Sequence, residues 1–257
     1  MIFLLFIFTF FTQFDGIKKN SKNDAEFISN IAKTQLGKEY VGGTLDTGFV
    51  ENCVFNYEGL DCVTFVENTL AIAKSIKNND TTEESIIKNI ENTRYRDGIL
   101  SDYISRLHYT GDWINDNIRR NNLKDITKEI GGIKLNQNVN FMSSHPQYYK
   151  QLKDNETFQK QIKEIESQIN KYDLFYIPKD KVNKSKSKIQ SGDIICIATN
   201  IKGLDYSHLG FAIREGDKLK LIHASSTKMQ VTIENDLQTY LMSVKNHKGI
   251  TILRPIL

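Results

Sequence analysis

Apolar positions recur at the helical period in the first part of this chain and alternate in the last part. From Asp24 to Leu36, the residues Phe27, Ile28, Ile31 and Ala32 fall on one stripe, which predicts an amphipathic helix. A second stripe starts at Cys62 and continues through Phe65, Val66, Thr69, Leu70 and Ala73 to about Ile76. It lies directly behind Asp61, a residue suited to an N-cap. A third helix is expected at the capping box Thr81-x-x-Glu84, with Ile86, Ile87 and Ile90 inward. Phe158, Ile162, Ile165 and Ile169 place a fourth over Glu156 to Asn170. From Leu174 the period changes to two, and strands are expected at Leu174–Ile177, Asp193–Thr199, Leu209–Arg214, Leu219–Ala224, Gln230–Ile233 and Ile250–Arg254. Helices first and strands later predict an α+β fold, with an antiparallel sheet and helices on one side.

Two of those strands should form a hairpin. With Glu215-Gly216 as its two-residue loop, Arg214 pairs with Asp217, Gly210 faces Leu221, Ala212 faces Leu219, and His208 falls opposite His223. Small residues meet large ones on that face, which leaves room for a helix, and the Cys62 helix is the expected occupant. A three-residue loop would shift the register by one and send the two histidines to opposite faces.

This pattern brings chemistry together. A helix start favours the thiolate of Cys62, the nucleophilic form of the thiol. His208 is then the base that takes its proton, and His223 the group that orients His208. A catalytic zinc held by Cys62, His208 and His223 is chemically conceivable, but the short-spaced ligand pairs typical of zinc sites are absent. No metal or other cofactor is expected. Cys53 reads as a spare thiol and Cys196, in an apolar strand, as core.

Composition narrows the picture little further. The 257 residues, 39% apolar and 25% charged, suit one domain with a substantial core. A net charge of +3 gives no case for nucleic acid, and Lys179, Lys181, Lys184, Lys186 and Lys188 read as a solvated loop. Ile2 to Phe11 is apolar apart from Thr9, too short to span a bilayer and similar to the core of an export signal. Residues 1–20 are therefore set apart as signal-like, with residues 24–257 as a single domain. Export, to the periplasm, is the expected localisation, with membrane contact only through an uncleaved N-terminal segment.

The blocks Asp61-Cys62-Val63-Thr64-Phe65, Ser207-His208-Leu209-Gly210-Phe211 and Leu221-Ile222-His223-Ala224-Ser225-Ser226 resemble the signature blocks of the NlpC-type cysteine hydrolases, papain-like enzymes that cut peptidoglycan. Tyr40-Val41-Gly42-Gly43 is similar to an element preceding the catalytic cysteine in that superfamily, although the spacer to Cys62 is longer here. The resemblance is nearest to an amidase-like branch, through Arg94-Tyr95-Arg96-Asp97-Gly98, Ser105-Arg106-Leu107-His108-Tyr109, Asp112-Trp113-Ile114 and Ser144-His145-Pro146. It implies a papain-like core with a large helical and loop insertion at about 94–175. The implied activity is that of an N-acetylmuramoyl-L-alanine amidase acting on muropeptides, including those with 1,6-anhydro ends. Tyr40, Asp61 and Ser207 become candidates for oxyanion or substrate contacts. Arg106, His108, Tyr109 and Trp113 are the candidates for recognising carboxylates and sugar faces. A D-Glu to diamino-acid endopeptidase, or an acyltransferase or thioesterase of the same superfamily, remain alternatives.

Overall fold

The computed structural model describes Phe14, residues 16–46 and residues 48–257. The apolar stretch Ile2–Phe11 lies outside the described residues. The folded body begins earlier than the expected boundary at residue 24. Phe14 is fully buried in the main core, Ile17 packs against that core, and Lys18 Nζ donates to the Ile76 carbonyl at 2.9 Å.

Three helices form one layer. Helix α1 (Asp24–Lys33) is capped by Asn23 and buries Phe27, Ile28, Ile31 and Ala32. Helix α2 (Cys62–Lys77) starts as its local sequence dictates. Asp61 Oδ1 accepts from the amides of Val63 and Thr64 at 3.0 and 2.8 Å, and Thr64 Oγ1 accepts from the Asp61 amide at 2.9 Å. These bonds satisfy donors that a helix start leaves open. Helix α3 (Glu83–Arg94) begins one residue later than its sequence suggests. Thr82, not Thr81, is the N-cap, because Asp80 accepts the Thr82 hydroxyl and turns its oxygen toward the Ser85 amide.

The sheet is built from β1 (Glu39–Tyr40), β2 (Gly59–Leu60), β3 (Leu123–Asp125), β4 (Ile133–Lys134), β5 (Phe175–Pro178), β6 (Ile194–Thr199), β7 (Tyr206–Glu215), β8 (Lys218–Ser225), β9 (Gln230–Glu234) and β10 (His247–Pro255). Its order is β2-β1-β9-β8-β7-β6-β10-β5-β4, with β3 on β10. Only the β1–β2 pair is parallel. Both faces of the sheet are covered, rather than the one expected. Phe65 and Val66 of α2 share a core with Leu209, Phe211, Ile213, Ile222 and Ala224, and the Phe65 and Phe211 rings meet edge-on at 5.7 Å. On the reverse face Ala212, Leu219 and Leu221 pack with Leu237 and Leu241 of helix α8 (Leu237–Ser243), an element with no clear periodic signal.

This arrangement corrects two expectations about the hairpin. Its loop is Gly216-Asp217, so Glu215 pairs with Lys218 and Ala212 with Leu221. Gly216 supplies the positive φ of 57° that the turn needs. The slip equals one step on each strand, so it preserves the face, and His208 and His223 still point the same way. That face belongs to the α8 layer, however, whereas α2 packs against the larger residues Leu209, Phe211 and Ile213 on the other side.

The insertion forms its own small core of Tyr103, Tyr109, Val139, Met142, Leu152, Ile162 and Ile169. It includes α4 (Thr110–Arg119), α5 (Phe141–Ser144) and α6 (Glu156–Ile169), and it joins the main sheet through β3, β4 and β5. A last short helix, α7 (Val182–Ser185), precedes β6.

Gly210 is the backbone position on which the hairpin's tight approach depends. A Cβ there would lie 2.6 Å from the Ile222 carbonyl oxygen and 2.9 Å from His223 Cβ. Gly210→Ala is expected to destabilise the protein by about 1–3 kcal/mol, as overpacking does, and thermal unfolding measures it. An unchanged Tm would show that β7 and β8 are not packed this closely.

Candidate active site

Five segments converge on the start of α2. Strand β2 leads from Leu60 directly into Asp61 and Cys62, and its parallel partner β1 sets Tyr40 opposite Leu60. Strands β7, β8 and β9 carry His208, His223 and Glu234. The Leu209 backbone N–H lies near enough to the Cys62 thiol to favour its charged form, which sets the sulfur close to β7, the strand that carries His208.

His208 Nε2 and His223 Nδ1 are 2.6 Å apart, with the rings nearly perpendicular. His223 is almost fully buried and its Nε2 meets Glu234 Oε1 at 3.3 Å. Glu234 also pairs with Lys228 Nζ at 2.6 Å. The Tyr240 ring of α8 lies 5.1 Å from His223 and 5.4 Å from His247, which closes the far side of the cluster. Thr232 stands opposite His223 in the β8–β9 register, so Glu234, two residues on, occupies the next position on the same face. Sequence reading missed Glu234. Extending the alternation of β9 by one residue beyond Ile233 would have exposed the carboxylate.

These contacts assign the protons. A carboxylate only accepts, so Glu234 takes the N–H of His223 Nε2 and leaves a lone pair on His223 Nδ1. That lone pair accepts from His208 Nε2–H, and His208 Nδ1 is left bare as the base. Burial, then the neighbouring His223 and His247, lowers His208 to about 3. Burial lowers His223 as well, against the opposing pull of Glu234. Glu234 is itself held below the usual carboxylate value, since its bonds to Lys228 and His223 outweigh its burial.

The thiol departs from expectation. Burial and, after it, the Asp61 carboxylate push Cys62 up to about 12, against the lowering effect of the Leu209, Cys62 and Val63 amides. The helix start is therefore too weak to make a standing thiolate, and the Cys62 thiol and the His208 imidazole each rest uncharged. Tyr40 is also raised, by burial and then by the charges of Cys62 and Asp61, so its hydroxyl keeps its proton.

A cavity of about 290 Å³ is lined by Asp61 and Val63, the chain neighbours of Cys62, while Cys62 and His208 are not among its lining residues. Arg106, His108 and Tyr109 line it. Arg106 is buried and bound to Asp46 at 2.5 Å and Glu51 at 3.3 Å. His108 sits against the Tyr103 ring at 4.3 Å, and burial and then Arg106 lower it to about 3. Tyr109 donates to Glu166 at 2.7 Å and helps to hold the insertion together. Trp113 is elsewhere, buried in the main core and not among the cavity's lining residues. Ser207 is the bulged residue between the Ile197–His208 and Ala198–Tyr206 pairs, and it is exposed. Arg94 and Arg96 are engaged by Glu67 and Asp112. Among the described residues, no three His, Cys, Asp or Glu side chains converge as a metal-ligand set.

Residues 30–250 match the AmiA-like family, described as N-acetylmuramoyl-L-alanine amidase-like, and the chain belongs to that family. Among solved structures, an N-acetylmuramoyl-L-alanine amidase from Bacteroides uniformis aligns with a TM-score of 0.87 at 35% identity, over 91% of this chain and 99% of that one. A Bacteroides fragilis protein described provisionally as a xylanase aligns at 0.83 and 36%, over 88% and 99%. A Legionella pneumophila protein aligns at 0.74 and 27%, over 96% and 93%. Comparison with curated protein sequences gives no significant match.

A neutral Cys62 has a simple signature. The pH profile of its alkylation by iodoacetamide, followed by peptide mass mapping, should rise without an inflection below about pH 9, above the ordinary thiol value of roughly 8.5. A plateau reached between pH 5 and 7 would reveal a standing thiolate and contradict the neutral pair.

Proposed function

We propose that this chain is an exported, NlpC-type cysteine amidase with a papain-like core, hydrolysing the bond between the muramoyl lactyl group and L-Ala in peptidoglycan fragments. The observation that carries this reading is the relay Glu234–His223–His208, on strands that pack beside the helix headed by Cys62, in a chain of an amidase-like family. The apolar run Ile2–Phe11 supports export to the periplasm.

The reaction runs in two steps. His208 Nδ1 takes the Cys62 proton as the sulfur attacks the lactyl carbonyl carbon, and the imidazolium so formed shares its Nε2 proton with His223. Asp61 occupies the amides of Val63 and Thr64, leaving the Cys62 amide as the donor at the helix start for the oxyanion, with Tyr40 hydroxyl as a second. As the intermediate collapses, the C–N bond breaks and His208 Nδ1–H protonates the departing L-Ala amine. Water then attacks the thioester, giving its proton to His208. The C–S bond breaks, and His208 returns the proton to the sulfur.

A lipid-side acyltransferase or thioesterase would need a wide apolar groove beside Cys62. The cavity sets Asp46, Asp61, Glu67, Arg94, Arg106 and Asp205 among Leu45, Val63, Leu107, Met142 and Leu204, a mixed charged and apolar lining that suits a muropeptide better than an acyl chain alone.

Mass spectrometry of an anhydro-disaccharide-tetrapeptide incubated with enzyme tests this reading. Free tetrapeptide and anhydro-disaccharide are the expected products, absent with Cys62→Ala. Glu234→Gln should lower kcat about ten- to hundredfold with little change in KM, because it removes the charge that steadies the imidazolium pair. A sugar-dipeptide product would identify an endopeptidase instead, and cleavage by Cys62→Ala would remove the nucleophile assigned here.

A further inference from the structure

Three large apolar side chains stand out from the surface: Phe49, Val50 and Tyr148 are 79%, 76% and 69% exposed, above every other large hydrophobic among the described residues. They are not scattered. Phe49 and Val50 belong to the loop whose Gly43, Leu45 and Asp46 line the cavity beside Cys62, and Tyr148 directly precedes Tyr149, another lining residue. The two segments touch. Gln151 Nε2 donates to the Gly48 carbonyl at 3.3 Å, and Lys150 Nζ stands 4.0 Å from the centre of the Phe49 ring.

Both rings are held in place. Tyr148 lies on His145 with an interplanar angle of 9° and centroids 5.5 Å apart, and His145 lies on Phe141 at 4.5 Å. His145 is anchored in turn by its Nδ1, which bonds the Phe141 carbonyl at 2.9 Å. The ladder supports one face of Tyr148, and the lysine holds Phe49. Single exposed aromatics need no explanation, but two supported ones on touching segments that both continue into a cavity lining do.

We propose that Tyr148 and Phe49 form a saccharide platform, holding a pyranose ring joined to the muramoyl unit whose amide bond lies at Cys62. This rests on the amidase reading and adds that the ligand is a glycan of at least two sugars. The chemistry fits. A pyranose presents C–H groups of slight positive charge on one face, which the electron-rich face of an aromatic ring attracts, while its hydroxyls stay in water. The scale fits too. A stable protein interface covers about 800 Å² on each partner, far more than two rings and a valine supply. Rings fixed beforehand lose little freedom when the sugar arrives.

Titration calorimetry on Cys62→Ala protein, which binds without turnover, tests the platform. The probes are a disaccharide-tetrapeptide and the corresponding muramoyl-tetrapeptide with one sugar. Tyr148→Ala and Phe49→Ala should each weaken the two-sugar ligand about five- to tenfold, and the one-sugar ligand less than about twofold. Tyr148→Phe, which keeps the ring, should retain affinity. Equal weakening of both ligands, or no weakening of either, would overturn the proposal. Failure of the amidase reading shows separately, as intact muropeptide after incubation with the wild-type enzyme.

Discussion

Two buried imidazole nitrogens 2.6 Å apart, His208 Nε2 and His223 Nδ1, set the terms for the rest of the site. Hydrogen-bonded neutral rings can stand this close only if each has the complementary tautomer. Glu234 decides that tautomer from one end, and His208 Nδ1 is left without a proton at the other. The geometry in turn requires that β7 and β8 approach without a side chain between them, which is why a glycine occupies position 210. Backbone sterics at one residue thus reach both imidazole rings.

Burial decides the charge states around this contact. A helix start and three backbone amides favour a thiolate at Cys62, yet desolvation and the Asp61 carboxylate outweigh them. The same desolvation keeps His208 neutral. In the proposed reaction charge appears only as the sulfur attacks, and the Glu234 carboxylate would steady the imidazolium pair at that moment. Asp61 works in both directions. It caps α2 and so positions Cys62, while its negative charge favours the protonated thiol.

What the sequence reveals follows from the range of the interactions involved. Helices α1, α2 and α6 are legible because their stripes and caps are local, and the Asp61 cap behaves as its residue type predicts. The hairpin turn is only half legible. Glu215-Gly216 and Gly216-Asp217 both place the glycine in a two-residue loop, and only pairing along the whole of β7 and β8 selects the second. His208 and His223 meet under either choice because the side-chain period is two. Glu234 is hidden because its position depends on the β8–β9 register, a separate long-range fact. The layer covering the imidazoles is hidden as well, since α8 is short and the small residues Gly210 and Ala212 gave no hint that this helix, rather than α2, would cover them. Trp113 shows the limit of residue type as a guide, for it is buried in the main core away from the cavity, whereas Tyr109 is buried and still lines it.

The central claim is that the substrate's lactyl carbonyl becomes bonded to the sulfur of Cys62. The most direct measurement is acid-quenched, intact-protein mass spectrometry during turnover of an anhydro-disaccharide-tetrapeptide, with the adduct mapped to a peptide and released by hydroxylamine. A muramoyl thioester is expected on the Cys62 peptide, without the stem peptide and absent from Cys62→Ala. A stem-peptide acyl group at that sulfur, or turnover with no adduct on Cys62 at any quench time, would contradict it.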